Sequence, residues 1–186
     1  MARGPVILPK NVSDAHIASL AGLEQRTDRF EPRDARLLAN PTFNTLSAND
    51  VLLIHFRLAQ DFLVAKLGIL INPSAGNVDL GIATSADMAT FTKVASTGAV
   101  AAGTANEIME PALTTPYLCR AGVNYWFMLG VTNATMGIYS TGPMSSKIAA
   151  LMKTSLYKAN AWSSGLPATV TGASTNSVVP WFVLTA

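Results

Sequence analysis

The side chains that could carry out acid–base, nucleophilic or metal chemistry are few and scattered in this sequence. His16 lies near the N-terminus, and His55 falls on the less apolar side of an alternating stretch. A surface or interface histidine is the favoured interpretation of both. Cys119 has neither a flanking glycine signature nor a histidine close in sequence, so it is best interpreted as a small buried apolar side chain.

The carboxylates of the longer C-terminal part also lack a functional spacing. Asp79, Asp87, Glu107 and Glu110 match neither a calcium loop nor a pair of acid–base catalysts. The sequence contains no nucleophile elbow, paired zinc-binding histidines, phosphate loop or dinucleotide fingerprint. We therefore predict that the chain is not an enzyme and has no cofactor and no metal site.

Aromatic side chains offer a different kind of chemistry, the stacking of sugar rings. Aromatic residues in alternating strands more often belong to a core or to a subunit interface. A glycan-binding module that recognises a host surface stays open as an alternative function. It would need exposed aromatic and polar side chains at loop tips, and its candidate residues are Asn133 and Trp162.

Charge separates the chain into two parts. The thirteen basic and eleven acidic residues leave a formal net charge of +2, too little for an electrostatic nucleic-acid partner. Eleven of the charged residues lie in the first 40 positions: Arg3, Lys10, Asp14, Glu24, Arg26, Asp28, Arg29, Glu31, Arg33, Asp34 and Arg36. The remainder of the chain is poorer in charge than an ordinary soluble domain, which indicates a body whose surface is covered by neighbours. A neutral surface rich in Ser, Thr, Asn and Ala is the alternative.

The first 46 residues read as an arm. Prolines at positions 5 and 9 favour extended chain, and the spacing of apolar residues after Ser13 predicts a short helix over 13–26. The arm residues expected to contact a partner are Ile17, Leu20, Leu23, Arg26, Arg29, Phe30, Arg33 and Arg36. No apolar run reaches the ~18 residues of a membrane span, so membrane insertion is not expected. The lone cysteine rules out an internal disulfide and fits synthesis in the cytoplasm.

From residue 47 the period of the apolar pattern becomes two. Strands are predicted at 52–58, 65–71, 78–82, 91–96, 106–110, 125–131, 136–139 and 178–184, the last at an edge or bulged because it contains Pro180. Residues 147–158 fit a helix or a strand. Short strands at this spacing with little helix between them predict an all-β fold, an antiparallel β-sandwich or jelly roll of about eight strands over 47–186.

Several segments of this body resemble a recurring domain of tailed-bacteriophage structural proteins. They are Gly76-Asn77-Val78-Asp79-Leu80-Gly81-Ile82, the strand ending Ala95-Ser96-Thr97-Gly98, the proline-marked Leu113–Pro116, and the strand and turn from Ala121 to Thr135. The resemblance covers about residues 50–184 and rests on turn glycines and alternating apolar residues. It implies a β-sandwich of a tail fibre, head fibre, baseplate part or capsid decoration, and it carries over no catalytic residue.

Composition and resemblance together predict a virion structural protein. The sandwich would pack beside copies of itself, as a homo-oligomer and by analogy a trimer, and beside other virion proteins. The arm would lie along a neighbouring subunit, where its mixed charges would fix the register of docking. A solvated, disordered tail is the alternative for the arm. The expected location is the virion, after synthesis in the cytoplasm of the bacterial host.

Overall fold

In this computed structural model every regular element of the described chain is a β-strand. The described residues are 29–30, 42–72, 76–104, 107–132, 137–140, 155–162, 164–176 and 178–186. The strands are β1 Arg29–Phe30, β2 Thr42–Thr45, β3 Val51–Arg57, β4 Phe62–Asn72, β5 Asn77–Thr84, β6 Thr90–Ser96, β7 Val100–Ala101, β8 Glu107–Met109, β9 Ala112–Cys119, β10 Asn124–Val131, β11 Gly137–Ser140, β12 Ser155–Lys158, β13 Thr169–Thr171, β14 Ser174–Thr175 and β15 Phe182–Thr185. The predicted all-β, antiparallel class is confirmed.

The strands form two sheets. The eight-stranded sheet has the order β13-β6-β5-β10-β3-β12-β14, with β7 added beside β5. The seven-stranded sheet has the order β1-β15-β4-β11-β2, and β8 and β9 pair with the long strand β4. The pairs are antiparallel, and a bulge in β4 between Val64 and Lys66 marks the change in register along β9.

The two sheets pack face to face around one apolar core. Leu52, Ile54 and Phe56 of β3 alternate with Leu53 and His55, as the period of two predicts. Phe182 of the seven-stranded sheet bridges the layers, because its ring stacks on Phe127 at 4.4 Å between centroids and meets Phe56 edge-on at 5.7 Å. These contacts give the molecule the layered arrangement of a β-sandwich.

The outer face of the eight-stranded sheet is buried as well, which the sequence pattern did not predict. Val51, Leu53, Trp126 and Met128 point away from the inter-sheet core and form a second apolar cluster. Residues 161–168, here called the strap, cover part of this face with Trp162 and Leu166 (residue 163 lies outside the described chain). Strand β5 was expected to be half-buried, but its outward residues Asp79, Gly81 and Ala83 are buried too.

Most predicted strands are present within a few residues of the expected bounds. Strand β9 was not predicted; it contains Pro116, a residue that is rare inside a strand because it has no N–H for the ladder. Within 147–158, only 155–158 are described, and they form strand β12. The final strand begins at Phe182, beyond Pro180, and lies between β1 and β4 rather than at an edge. The predicted helix 13–26 lies outside the described residues.

Candidate interaction surfaces

Two short strands that precede the body add to the seven-stranded sheet, one beside β15 and the other beside β11. Strand β1 pairs antiparallel with β15, with Arg29 opposite Thr185 and Phe30 opposite Leu184. Strand β2 lies on the arm side of the predicted boundary and pairs with β11 at the opposite end of the strand order. The chain before residue 46 therefore contributes backbone hydrogen bonds at two places in this sheet, one beside β15 and one beside β11. Of the predicted arm residues, Ile17, Leu20, Leu23, Arg26, Arg33 and Arg36 lie outside the described chain, whereas Arg29 and Phe30 form β1.

The outer face of the seven-stranded sheet exposes a pair of leucines. Leu63 on β4 is 53% exposed and lies directly opposite Leu118 on β9, which is 39% exposed. Asp61 and Arg120 extend this cross-strand row and form an ion pair of 2.7 Å. The N–H of Ala121 also donates to Asp61, and these contacts hold the pKa of that carboxyl below its usual range. An apolar pair beside a fixed ion pair can contact another protein surface.

Polar contacts anchor the strap to the eight-stranded sheet that it covers. Asp79, which is buried, accepts a hydrogen bond from the N–H of Leu166 at 2.9 Å and another from the Thr97 hydroxyl at 3.2 Å. The ammonium group of Lys93 donates to the Leu166 carbonyl at 2.6 Å. The Trp162 ring lies over Gly130, where a Cβ would be 2.6 Å from its Cζ3 atom.

These contacts show the structural roles of Asp79 and Trp162, two residues singled out in the sequence. Asp79 is one of the carboxylates that lacked a functional spacing in the sequence, and it anchors the strap. Trp162, a candidate for glycan stacking, is only 5% exposed. Its ring is therefore not available to stack on a sugar in this conformation. Asn133, the other candidate, lies outside the described residues.

A polar groove lies at one end of the sandwich, between the β5–β6 turn and the β9–β10 turn. Its volume is about 580 Å³, within the usual range for small-molecule sites. The lining residues are Thr84, Ser85, Ala86, Asp87, Thr90, Thr92, Gly122, Val123 and Asn124. The sequence identified only a loop at 85–90, because the residues that face the groove come from two turns far apart in sequence.

The polar groups of this groove are held in place by their neighbours. One carboxylate oxygen of Asp87, Oδ1, accepts hydrogen bonds from the N–H groups of Thr90 at 2.7 Å and Ala89 at 2.9 Å, and from the Ser85 hydroxyl at 3.1 Å. These bonds, that of Thr90 first, hold the pKa of Asp87 far below its usual range, so this carboxylate is ionised at neutral pH. Across the groove, Asn124 Oδ1 lies 3.1 Å from His55 Nε2.

Of the remaining chemical side chains, Cys119 is buried as the sequence suggested. His55 is half-buried, with its ring 5.2 Å from that of Trp126. Cys119 is fully buried, and burial raises the pKa of its thiol to about 12. Among the described residues, no group of three or more His, Cys, Asp or Glu side chains could hold a metal ion. No helix in the described ranges is long and apolar enough to cross a membrane.

Comparison with known proteins adds no relative: neither a family model nor a curated protein matches this chain.

Proposed function

We propose that this chain is a structural protein of a bacteriophage particle that binds neighbouring subunits through its sandwich and its N-terminal arm. The observation that carries the proposal is the position of β1, which pairs with β15 at the end of the seven-stranded sheet. The resemblance of residues 50–184 to phage structural domains, described above, is the reason for proposing a bacteriophage particle.

Strand pairing at a sheet end suits assembly because it uses main-chain groups. An end strand presents N–H and C=O groups that any extended segment can satisfy, whichever chain supplies it. The arm of a neighbouring copy can therefore occupy the position that β1 takes here. An arm that becomes ordered on docking covers a large area with few residues, although ordering it costs free energy.

Side chains on the sheet face support contact with a second copy. Leu63 and Leu118 are exposed as a cross-strand pair, and their burial against the same face of a neighbour would remove apolar surface from water. The charges of residues 26–36 are of mixed sign, and such charges fix register and partner choice more than they add affinity. The proposed assembly is a homo-oligomer, by analogy a trimer of the jelly-roll type, attached to other proteins of the virion.

Two truncations test the proposal. Deleting residues 1–28 leaves β1 in place, whereas deleting 1–41 removes β1 and keeps β2. Each variant replaces the chain in the phage genome that encodes it, the particles are purified on a density gradient, and the chain is quantified by mass spectrometry. We expect the full chain in the particles and a loss of incorporation for the 1–41 deletion.

The same experiment can contradict the proposal in two ways. Absence of the full chain from purified particles would remove the virion assignment. Normal occupancy of the 1–41 deletion would show that the arm is not needed for attachment. Thermal unfolding of both purified truncations serves as the control for folding, because an unfolded body would be lost from particles for a different reason.

A further inference from the structure

We propose that the groove between the β5–β6 and β9–β10 turns is a binding site for a neutral, hydroxyl-rich carbohydrate. This inference does not rest on the proposed function, since a groove can bind a sugar whether or not the chain is part of a particle. It places the site on a different set of side chains from the sequence candidates Asn133 and Trp162.

The groove combines hydrogen-bond acceptors and donors at fixed positions. Asp87 is ionised, with Oδ1 accepting the hydrogen bonds of the turn and the Thr90 hydroxyl also bonding to the carboxylate; because a carboxylate has about four acceptor positions, Oδ2 can also accept from a ligand hydroxyl. With its Oδ1 engaged by His55, Asn124 can donate through its amide nitrogen. The hydroxyls of Thr84 and Thr92 can both donate and accept. Sugar hydroxyls also do both, so each ligand oxygen can find a partner here.

The apolar part of the groove lining suits the C–H face of a sugar ring. Val123 is 40% exposed at the groove, and Ala86 lies on the opposite turn. Such groups can cover the C–H face of a pyranose while the polar groups bind its edge. A mostly apolar ligand would remove water from the Asp87 carboxylate without supplying a hydrogen-bond donor in its place, which is costly.

Charge selects between neutral and acidic sugars. Asp87 is the ionised side chain of the lining, and it repels a carboxylated or sulfated ring. The Arg57 guanidinium lies at the rim beside Gly122, where a Cβ would be 3.4 Å from its Nη2 atom. The groove and its rim thus carry one charge of each sign and favour no charged ring, so the proposed ligand is an uncharged oligosaccharide.

Binding of defined oligosaccharides to the full chain tests the site. The probes are neutral glucose-, galactose- and N-acetylglucosamine-containing oligosaccharides, with sialylated counterparts, measured by biolayer interferometry. We expect saturable binding of at least one neutral probe. We also expect Thr92→Val and Asn124→Ala each to weaken it by up to about tenfold, because each removes one hydrogen bond to the ligand at a solvent-exposed position. Thr175→Val, on the exposed strand β14, is the matched control and should leave binding unchanged.

The outcomes separate cleanly. Absence of saturable binding by any neutral probe at millimolar concentration would overturn the proposal. So would a neutral probe that binds both groove variants as tightly as the control, or a preference for the sialylated probes. Because Thr92→Val is nearly isosteric on an exposed strand position, it keeps the test valid if Asn124→Ala fails to fold. The two proposals can fail separately. Groove variants that lose sugar binding but enter particles normally would support the sugar site alone, and a chain that binds sugar but is absent from particles would contradict only the proposed function.

Discussion

The outer faces of the two sheets differ in how far the chain covers them. On the eight-stranded sheet, the strap places Trp162 and Leu166 over the outward residues and adds a second apolar cluster. On the seven-stranded sheet, Leu63 and Leu118 stay exposed as a pair. One face is thus covered in part by the chain itself, which contributes to folding, whereas the other leaves apolar side chains exposed. The difference can be tested by substitutions that are matched across the two faces.

The largest effect is expected from removing the strap's tryptophan. Trp162→Ala should lower the free energy of unfolding by about 3–5 kcal/mol, because a buried aromatic ring is replaced by a cavity. The matched variant on the other face, Leu63→Ala, should change it by less than about 0.5 kcal/mol. Denaturant unfolding of both purified variants measures the difference. Equal effects would show that the strap does not stabilise the monomer more than the exposed pair does.

A glycine beneath the tryptophan provides the next test. A Cβ at Gly130 would overlap the Trp162 ring, so Gly130→Ala should cost about 1–3 kcal/mol through overpacking. In the Trp162→Ala background the same substitution should cost much less, because the ring that it meets is gone. A double-mutant cycle by denaturant unfolding gives this coupling. Strictly additive effects would mean that the ring and Gly130 are not in contact.

The polar anchor of the strap should contribute less than its apolar contacts. Asp79→Ala leaves the Leu166 N–H without its acceptor, and we expect a loss of about 1–3 kcal/mol. Asp79→Asn keeps an acceptor oxygen and should cost less. Hydrogen exchange at the Leu166 amide, measured by NMR, shows whether the effect is local. An unchanged exchange rate in Asp79→Ala would contradict the anchoring role.

The next prediction concerns thiol labelling at two adjacent positions of β9 whose side chains face opposite sides of the sheet. Cys119 is buried, whereas Leu118 is exposed on the outer face. In the native protein at pH 8, Cys119 should resist a maleimide reagent, and Leu118→Cys in a Cys119→Ser background should react readily. Equal labelling of both thiols would contradict the assignment of the two sides of β9.

The Cys119 thiol also predicts a pH dependence. Burial raises its pKa from 9.0 to about 12, so the unfolded chain ionises first as the pH rises. The contribution of this residue to stability is constant below pH 9 and falls as the pH increases from 9 towards 12. Thermal unfolding across this range should show a smaller loss for Cys119→Ser than for the natural chain. Parallel curves for the two proteins would contradict the prediction.

The sequence by itself determined the all-β class and most strands of the core. Alternation such as Leu52-Ile54-Phe56 needs only neighbouring residues and a period of two, so it is readable without a fold. It also determined that Cys119 is a buried apolar side chain. The separation of charge between the first 40 residues and the remainder is a property of the sequence as well.

The tertiary structure decided which outer faces of the sheets are covered. The strap reaches Asp79 from 87 residues away in sequence, and the groove joins two turns that no local pattern relates. The same period of two that marks the core cannot tell whether the opposite face meets water, a strap or a neighbour, because that depends on segments distant in the chain. Burial of Trp162, exposure of Leu63 and the partners of Asp79 were therefore fixed only when the sheets packed.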